Sequence, residues 1–281
     1  MKRNAIFRMI LFAFLAVVLV GVLIAGIALK KYQMPGIVVR ESFDAPVVNK
    51  NKFSGKEIDR LKIEWAAGNI VLVPAEGDTI SVTEELLGGD KTMVLKKDGS
   101  TLYVQYCEGA VGISFGSNSS LKKNLYICVP QDWVCKELEI DAASATVQAE
   151  YLTIQELTSS TASGSHTFTN CQVEKLKMET VSGNLDFSGS LDKLEFNGVS
   201  AQANLVLSNR PKSINLESVS GDLNLTLPEG CGFTLEKDTV SGRFSSELET
   251  TEKNGKIIHG DGSCEIDVEG VSASVHIRKG D

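Results

Sequence analysis

The sequence predicts an all-β chain: a β-solenoid of stacked two-strand repeats of about 20 residues, preceded by one N-terminal transmembrane helix. Three observations predict it. A small tripeptide with a central serine recurs seven times, apolar and polar residues alternate on both sides of it, and one long uncharged run lies ahead of everything else.

Taken in chain order, that uncharged run comes first. Met9–Leu29 is 21 residues without a charge, long enough at about 1.5 Å per residue to cross a hydrocarbon core of roughly 30 Å. A cleavable signal has a shorter apolar region, so an uncleaved anchor is expected behind a cytoplasmic tail of residues 1–8. Three basic residues lie on each side (Lys2, Arg3 and Arg8 against Lys30, Lys31 and Arg40), and the charge rule does not decide orientation. Residues 30–57, with Pro35, Gly36, Pro46 and Gly55, read as a tether.

Composition narrows the classes. The 281 residues are 42% hydrophobic and 23% charged, which excludes a disordered chain. Residues 1–31 hold five of the 28 basic residues and none of the 36 acidic ones, leaving a balance of −13 beyond them. Such a surface stands off anionic lipid and supplies no basic stripe for nucleic acid.

Residues 58–134 read as an irregular start to the β domain. IDRLKIEW (58–65), NIVLV (69–73), TISVTEE (79–85), TLYVQY (101–106) and NLYICVP (124–130) alternate as strands, with a loop at 109–124. Ala66-Ala67-Gly68 resembles a degenerate corner. Residues 135–281 form the regular repeat. Its corner serines, Ser144, Ser163, Ser182, Ser200, Ser220, Ser241 and Ser272, are spaced 19, 19, 18, 20, 21 and 31 apart. Gly164, Gly183, Gly221 and Gly242 follow four of them and Ala145, Ala201 and Ala273 the other three. The glycines offer positive φ, while the alanines argue that small volume matters more. A unit this short cannot bury its own apolar face, whereas stacking does bury it, around Leu185, Phe187, Leu205, Leu207, Leu223 and Leu225. The long last gap leaves room for a hairpin at Asn254-Gly255.

The corner serines are read as structural, a hydroxyl ladder serving the backbone, because a nucleophile with its base would occur once rather than seven times. On that reading Ser182→Ala costs about 1 kcal/mol and Gly183→Val more. His166, His259 and His276 lack metal spacing, and no CxxC, GxGxxG, Walker loop or HExxH occurs. Gly260-Asp261-Gly262 is a weak echo of an acidic calcium turn, and Asp186 and Asp222 are expected as solvated turn residues. Of Cys107, Cys128, Cys135, Cys171, Cys231 and Cys264, most are expected as small buried hydrophobes; Cys128 and Cys135 are the one pair worth testing for a disulfide. No catalytic, metal or cofactor residue is assigned.

The strands closing on Val129-Pro130, the repeated Val-Ser-Gly-Asn/Asp units and the His259-Gly260-Asp261-Gly262 to Val271-Ser272-Ala273 segment resemble one family. It is the bacterial β-strand-repeat domain of unknown function called toastrack, described as a candidate adhesin, and the likeness covers roughly residues 58–279. The resemblance implies an extracytoplasmic domain on a single membrane span, like Lia-type envelope-stress proteins, with no agreed catalytic residues. The function expected is a non-enzymatic binding, scaffold or sensor module whose partner is an envelope protein or cell-wall component. The alternative is a polysaccharide-acting β-helix enzyme.

Overall fold

A computed structural model describes residues 51–87, 92–107 and 122–280. The expected tail and span, most of the tether and nearly all of the 109–124 loop lie outside the described residues. Among the described residues no helix is long and apolar enough to cross a membrane.

The strands of the irregular part are β1 (Lys52–Ser54), β2 (Arg60–Ala75), β3 (Thr79–Leu86), β4 (Val94–Asp98), β5 (Thr101–Gln105) and β6 (Lys123–Pro130). The repeats hold β7 (Val134–Glu150), β8 (Thr153–Ser200), β9 (Gln202–Leu207), β10 (Ser213–Leu227) and β11 (Phe233–Thr239). They end with β12 (Phe244–Ser246), β13 (Thr251–Lys253), β14 (Lys256–His259) and β15 (Cys264–Lys279). β1 forms inside the stretch expected as a tether, because Phe53 enters the core and pairs opposite Ile80.

Alternation builds each pass and the corner bends it. In β10, Ile214, Leu216 and Ser218 are buried before the corner, and Leu223, Leu225 and Leu227 after it. The buried positions are even-numbered before Ser220 and odd-numbered after it. That one-residue phase slip lets both arms of a bent pass aim their apolar set at the same interior. Parallel register then stacks like on like: Ser144 opposite Ser163, and Ser220 opposite Ser200. Interior columns form in consequence, with Leu185, Phe187, Leu205, Leu207, Leu223 and Leu225 all buried. Ala67 and Gly68 align with Ser144 and Ala145, so the degenerate corner occupies a corner position.

The coils do not stack in sequence order. β15 lies between β10 and β11, so Ser272 pairs with Ser220, and the coil carrying Ser241 is outermost. The long last gap explains this. The chain forms the outer coil first, turns through a β13–β14 hairpin, and returns beneath it. Asn254 and Gly255 both have positive φ (54° and 76°), as a tight hairpin turn of this hand requires. Antiparallel strands cover the stack's edges: β14 pairs with β11, β4 with β5, and β3 with β6.

At the corners, volume decides more than φ. Gly164 has φ +141°, but Gly183, Gly221 and Gly242 lie outside the positive-φ set. A Cβ at Gly221 would stand 1.8 Å from the Ala201 carbonyl oxygen, and one at Gly242 1.7 Å from that of Ala273. Each glycine thus lets its coil settle onto the carbonyl of a neighbouring corner. The serine hydroxyls line the outside: six of the seven corner serines are exposed and Ser163 is half-buried. Ser163 donates to Ser144 at 3.2 Å, and Ser241 donates to the Val271 carbonyl at 3.2 Å. The exposure of Ser182 lowers the expected cost of Ser182→Ala to about 0.5 kcal/mol or less. Gly183→Val places a Cβ 2.6 Å from the Gly164 carbonyl oxygen and is expected to cost about 3 kcal/mol. Denaturant midpoints of the two variants check the contrast; equal losses would refute it.

Candidate functional site: two unlike faces around an enclosed core

Three outward positions precede each corner serine and three follow it. Of the 21 before the corners 15 carry Asp, Glu or Lys; of the 21 after them only 6 carry Asp, Glu or Arg. The stack therefore presents a charged face and a largely uncharged polar face, meeting at the serine ridge.

On the charged face, ions pair across coils: Lys62 Nζ lies 3.0 Å from Glu137 and 2.8 Å from Glu139. Toward the C-terminal end the register sets acid on acid, with Glu217 beside Glu269 and Glu269 beside Asp238. Burial, and behind it the Glu269 carboxylate, raises the Glu217 pKa; burial and then Glu236 do the same to Asp267.

The polar face carries a row of side chains, one from each coil. Four residues after each corner serine stand Gln148, Thr167, Asp186, Asn204, Asn224, Ser245 and, from β15, His276. Asn224 Nδ2 donates to Asn204 Oδ1 at 2.8 Å, and Asn204 Nδ2 donates to Asp186 Oδ1 at 2.7 Å. Gln202 Nε2 also reaches Asn204 Oδ1, at 3.2 Å, and His276 Nδ1 lies 2.7 Å from Ser245 Oγ. Asp186 is thus an acceptor within the row, while Asp222 Oδ1 accepts the Ser274 N–H at 3.2 Å in the next column. Beside the row is a shallow depression of about 270 Å³, lined by Asn204, Leu205, Val206, Asn224, Thr226 and Arg278. Counting from the corners exposes this row; reading each Asp or Asn singly hides it.

The interior holds a serine–histidine pair. Ser159 Oγ and His166 Nε2 are 3.0 Å apart, and both residues are buried. Among the described residues His166 Nδ1 has no hydrogen-bond partner, and burial lowers the His166 pKa to about 4. The imidazole is therefore neutral near pH 7 and packs between apolar columns. A closed core gives a substrate no route to this pair.

A second enclosed cluster lies at the N-terminal end. Lys123 is fully buried, with Nζ 2.8 Å from Glu84 Oε2 and bonded to the Tyr106 carbonyl. The ammonium stands 4.0 Å from the Tyr106 ring centroid and 5.0 Å from that of Trp65. Trp65 Nε1 donates to the Lys123 carbonyl at 3.0 Å, locking the same segment from its backbone side. Nothing in the repeat period marks Lys123, and sequence reasoning missed it.

All six cysteines are free thiols, five of them buried and Cys128 half-buried. Burial pushes the Cys135 and Cys264 thiols up to about 12. The Cys128–Cys135 disulfide singled out for testing is not formed. His259 Nδ1 pairs with the Glu249 carbonyl at 2.7 Å, and Asp261 Oδ1 accepts the Ser263 N–H at 3.1 Å. Among the described residues no three His, Cys, Asp or Glu side chains are grouped to hold a metal.

These features define a class: an all-β domain of stacked coils, with an apolar interior and two compositionally distinct faces. Residues 58–194 match the model of the Toastrack DUF4097 family, a β-rich domain of unknown function. Solved structures are similar at low identity. A candidate adhesin from Bacteroides fragilis has 13% identity and a TM-score of 0.46, over 84% of this chain and 98% of that one. A candidate cell-adhesion protein from Clostridium sporogenes has 11% identity and a TM-score of 0.41, over 84% of this chain and 100% of its own. A candidate lipid-binding protein from Parabacteroides distasonis has 14% identity and a TM-score of 0.40, over 83% and 98%. No curated protein matches the chain.

Proposed function

We propose that this protein is a non-enzymatic binding module of the bacterial cell envelope, serving adhesion or the sensing of envelope stress. A single N-terminal span holds it, with the β domain outside the cytoplasm. The observation that carries the reading is the pair of broad sheet faces, one charged and one polar, which the stack holds rigid by parallel pairing from coil to coil between β2 and β11. Rigid, ordered side-chain rows recognise a partner without a large ordering cost. The serine–histidine pair is sealed in the core, and Asp186 accepts within the amide row while Asp222 accepts a backbone N–H, arrangements that suit recognition better than proton transfer. The uncharged run Met9–Leu29 supports the anchor, and the −13 balance beyond residue 31 supports a domain held off the lipid surface.

Two measurements test this. Protease added to intact protoplasts is expected to remove the chain beyond about Lys31, and the detergent-solubilised full chain is expected to bind isolated cell envelopes saturably without releasing soluble fragments. Full protection would overturn the topology; turnover of envelope material would install the enzyme alternative.

A further inference from the structure

We propose that the polar face is the binding site for an extended, uncharged glycan laid across the coils along the amide row, with the shallow depression beside Asn204 as one subsite. This rests on the binding-module reading and names the site and ligand class within it.

The composition of the face argues first. Covering a charged side chain requires desolvating it, and the cores of recognition surfaces are accordingly poor in charge. The face after the corners has 6 charged positions of 21, against 15 on the opposite side, so it is the one an uncharged ligand covers at least cost.

The row itself argues next. Asn224 donates to Asn204, and Asn204 to Asp186, so the amides are held in one direction before any ligand arrives. A side-chain amide has two N–H donors, and each of these contacts engages one of them. The remaining N–H groups of Asn204 and Asn224 lie on adjacent coils at the strand spacing of about 4.8 Å, and the row continues on either side with other polar side chains. A polymer of hydroxyl-bearing rings, each hydroxyl both donor and acceptor, suits such a row. A ligand with one or two functional groups would engage only a fraction of it.

The apolar contacts argue last. A sugar ring has hydroxyl edges and C–H faces, and it is bound best where amides adjoin apolar or aromatic surface. Val206 is 55% exposed and lies in the wall of the depression beside Asn204 and Asn224, with Arg278 as a further donor. Tyr126 is opposite Val71, which is opposite Gln148, so Tyr126 belongs to the same outward column near its N-terminal end. It is 38% exposed, and its hydroxyl lies 3.2 Å from Glu85 Oε2, which steadies the ring.

The test is co-sedimentation of the detergent-solubilised full chain with insoluble chitin and insoluble β-1,4-glucan, both uncharged, at low and high salt. Retention by at least one of them, insensitive to salt, is expected. Val206→Asp, at an exposed position, and Asn224→Leu, within the row, are each expected to weaken it about tenfold or more in Kd. Lys175→Ala, on the charged face, leaves it unchanged. Melting curves establish that each variant is folded, and Val206→Asp carries the test should Asn224→Leu unfold. Retention by neither polysaccharide overturns the proposal. So does retention that survives Val206→Asp, or that salt abolishes and Lys175→Ala weakens. Binding to whole envelopes without binding to either glycan ends this proposal and leaves the binding-module reading standing; loss of both ends both.

Discussion

Lys123→Met is expected to destabilise the domain by about 3–5 kcal/mol, the cost of removing one partner from a buried ion pair. Lys123 is fully enclosed, and the substitution leaves the Glu84 carboxylate in place with the Met93 N–H at 2.8 Å as its remaining donor among the described residues. The ammonium's contacts with the Tyr106 carbonyl and with two rings disappear together. The pair as a whole contributes far less than either half costs when stranded, because both charges were desolvated to make it. Lys123→Met combined with Glu84→Gln is therefore expected to recover most of the loss. Urea unfolding followed by fluorescence reports this, since Trp65 donates to the Lys123 carbonyl and sits within the cluster. A loss below about 1 kcal/mol in the single variant, or no recovery in the double, would show that the ion pair does not hold this end of the stack.

How much of this was legible in the sequence depends on whether a feature shares the repeat period. Leu185, Leu205 and Leu223 each stand three or five residues after a corner serine, so the interior columns follow from counting. The amide row obeys the same count, at the fourth residue, yet Asp186, Asn204 and Asn224 look like ordinary turn residues until parallel register sets them side by side. Coil order does not follow from counting. Any two copies of a repeat pair equally well in parallel, and only the 31-residue gap before Ser272 hints that the last copy returns beneath its predecessor. Lys123 was illegible for a different reason. Its partners lie far away in sequence, 58 residues to Trp65 and 39 to Glu84, and in its local context it is one of two adjacent lysines. β4 was missed because Val94–Asp98 offers two apolar residues and then charge, too little alternation to read alone.

The largest pH effect is expected from His166. Its pKa is about 4 in the folded chain against 6.5 for a free histidine, with burial as the cause. Below about pH 6.5 the unfolded chain takes up a proton that the folded chain refuses, so unfolding is favoured progressively. The contribution is fully present above pH 6.5, falls as the pH drops, and is lost once the folded pKa near 4 is passed. At 1.36 kcal/mol per unit, the difference between pH 7 and pH 4 is about 3 kcal/mol. Glu217 and Asp267 act in the opposite sense, because their raised pKa values let the folded chain gain protons first as the pH falls. The measurement therefore compares the parent with His166→Leu, in which those carboxylates are unchanged and cancel. Leucine is the residue that the next coil places at this position, at Leu185, so the substitution keeps an apolar column intact. The stability of His166→Leu relative to the parent is expected to improve by about 3 kcal/mol as the pH falls from 7 to 4, with most of the change between 6.5 and 4. Two parallel stability curves over that range would mean that His166 is protonated, or reached by water, in the folded domain, and that the interior at Ser159 is not closed.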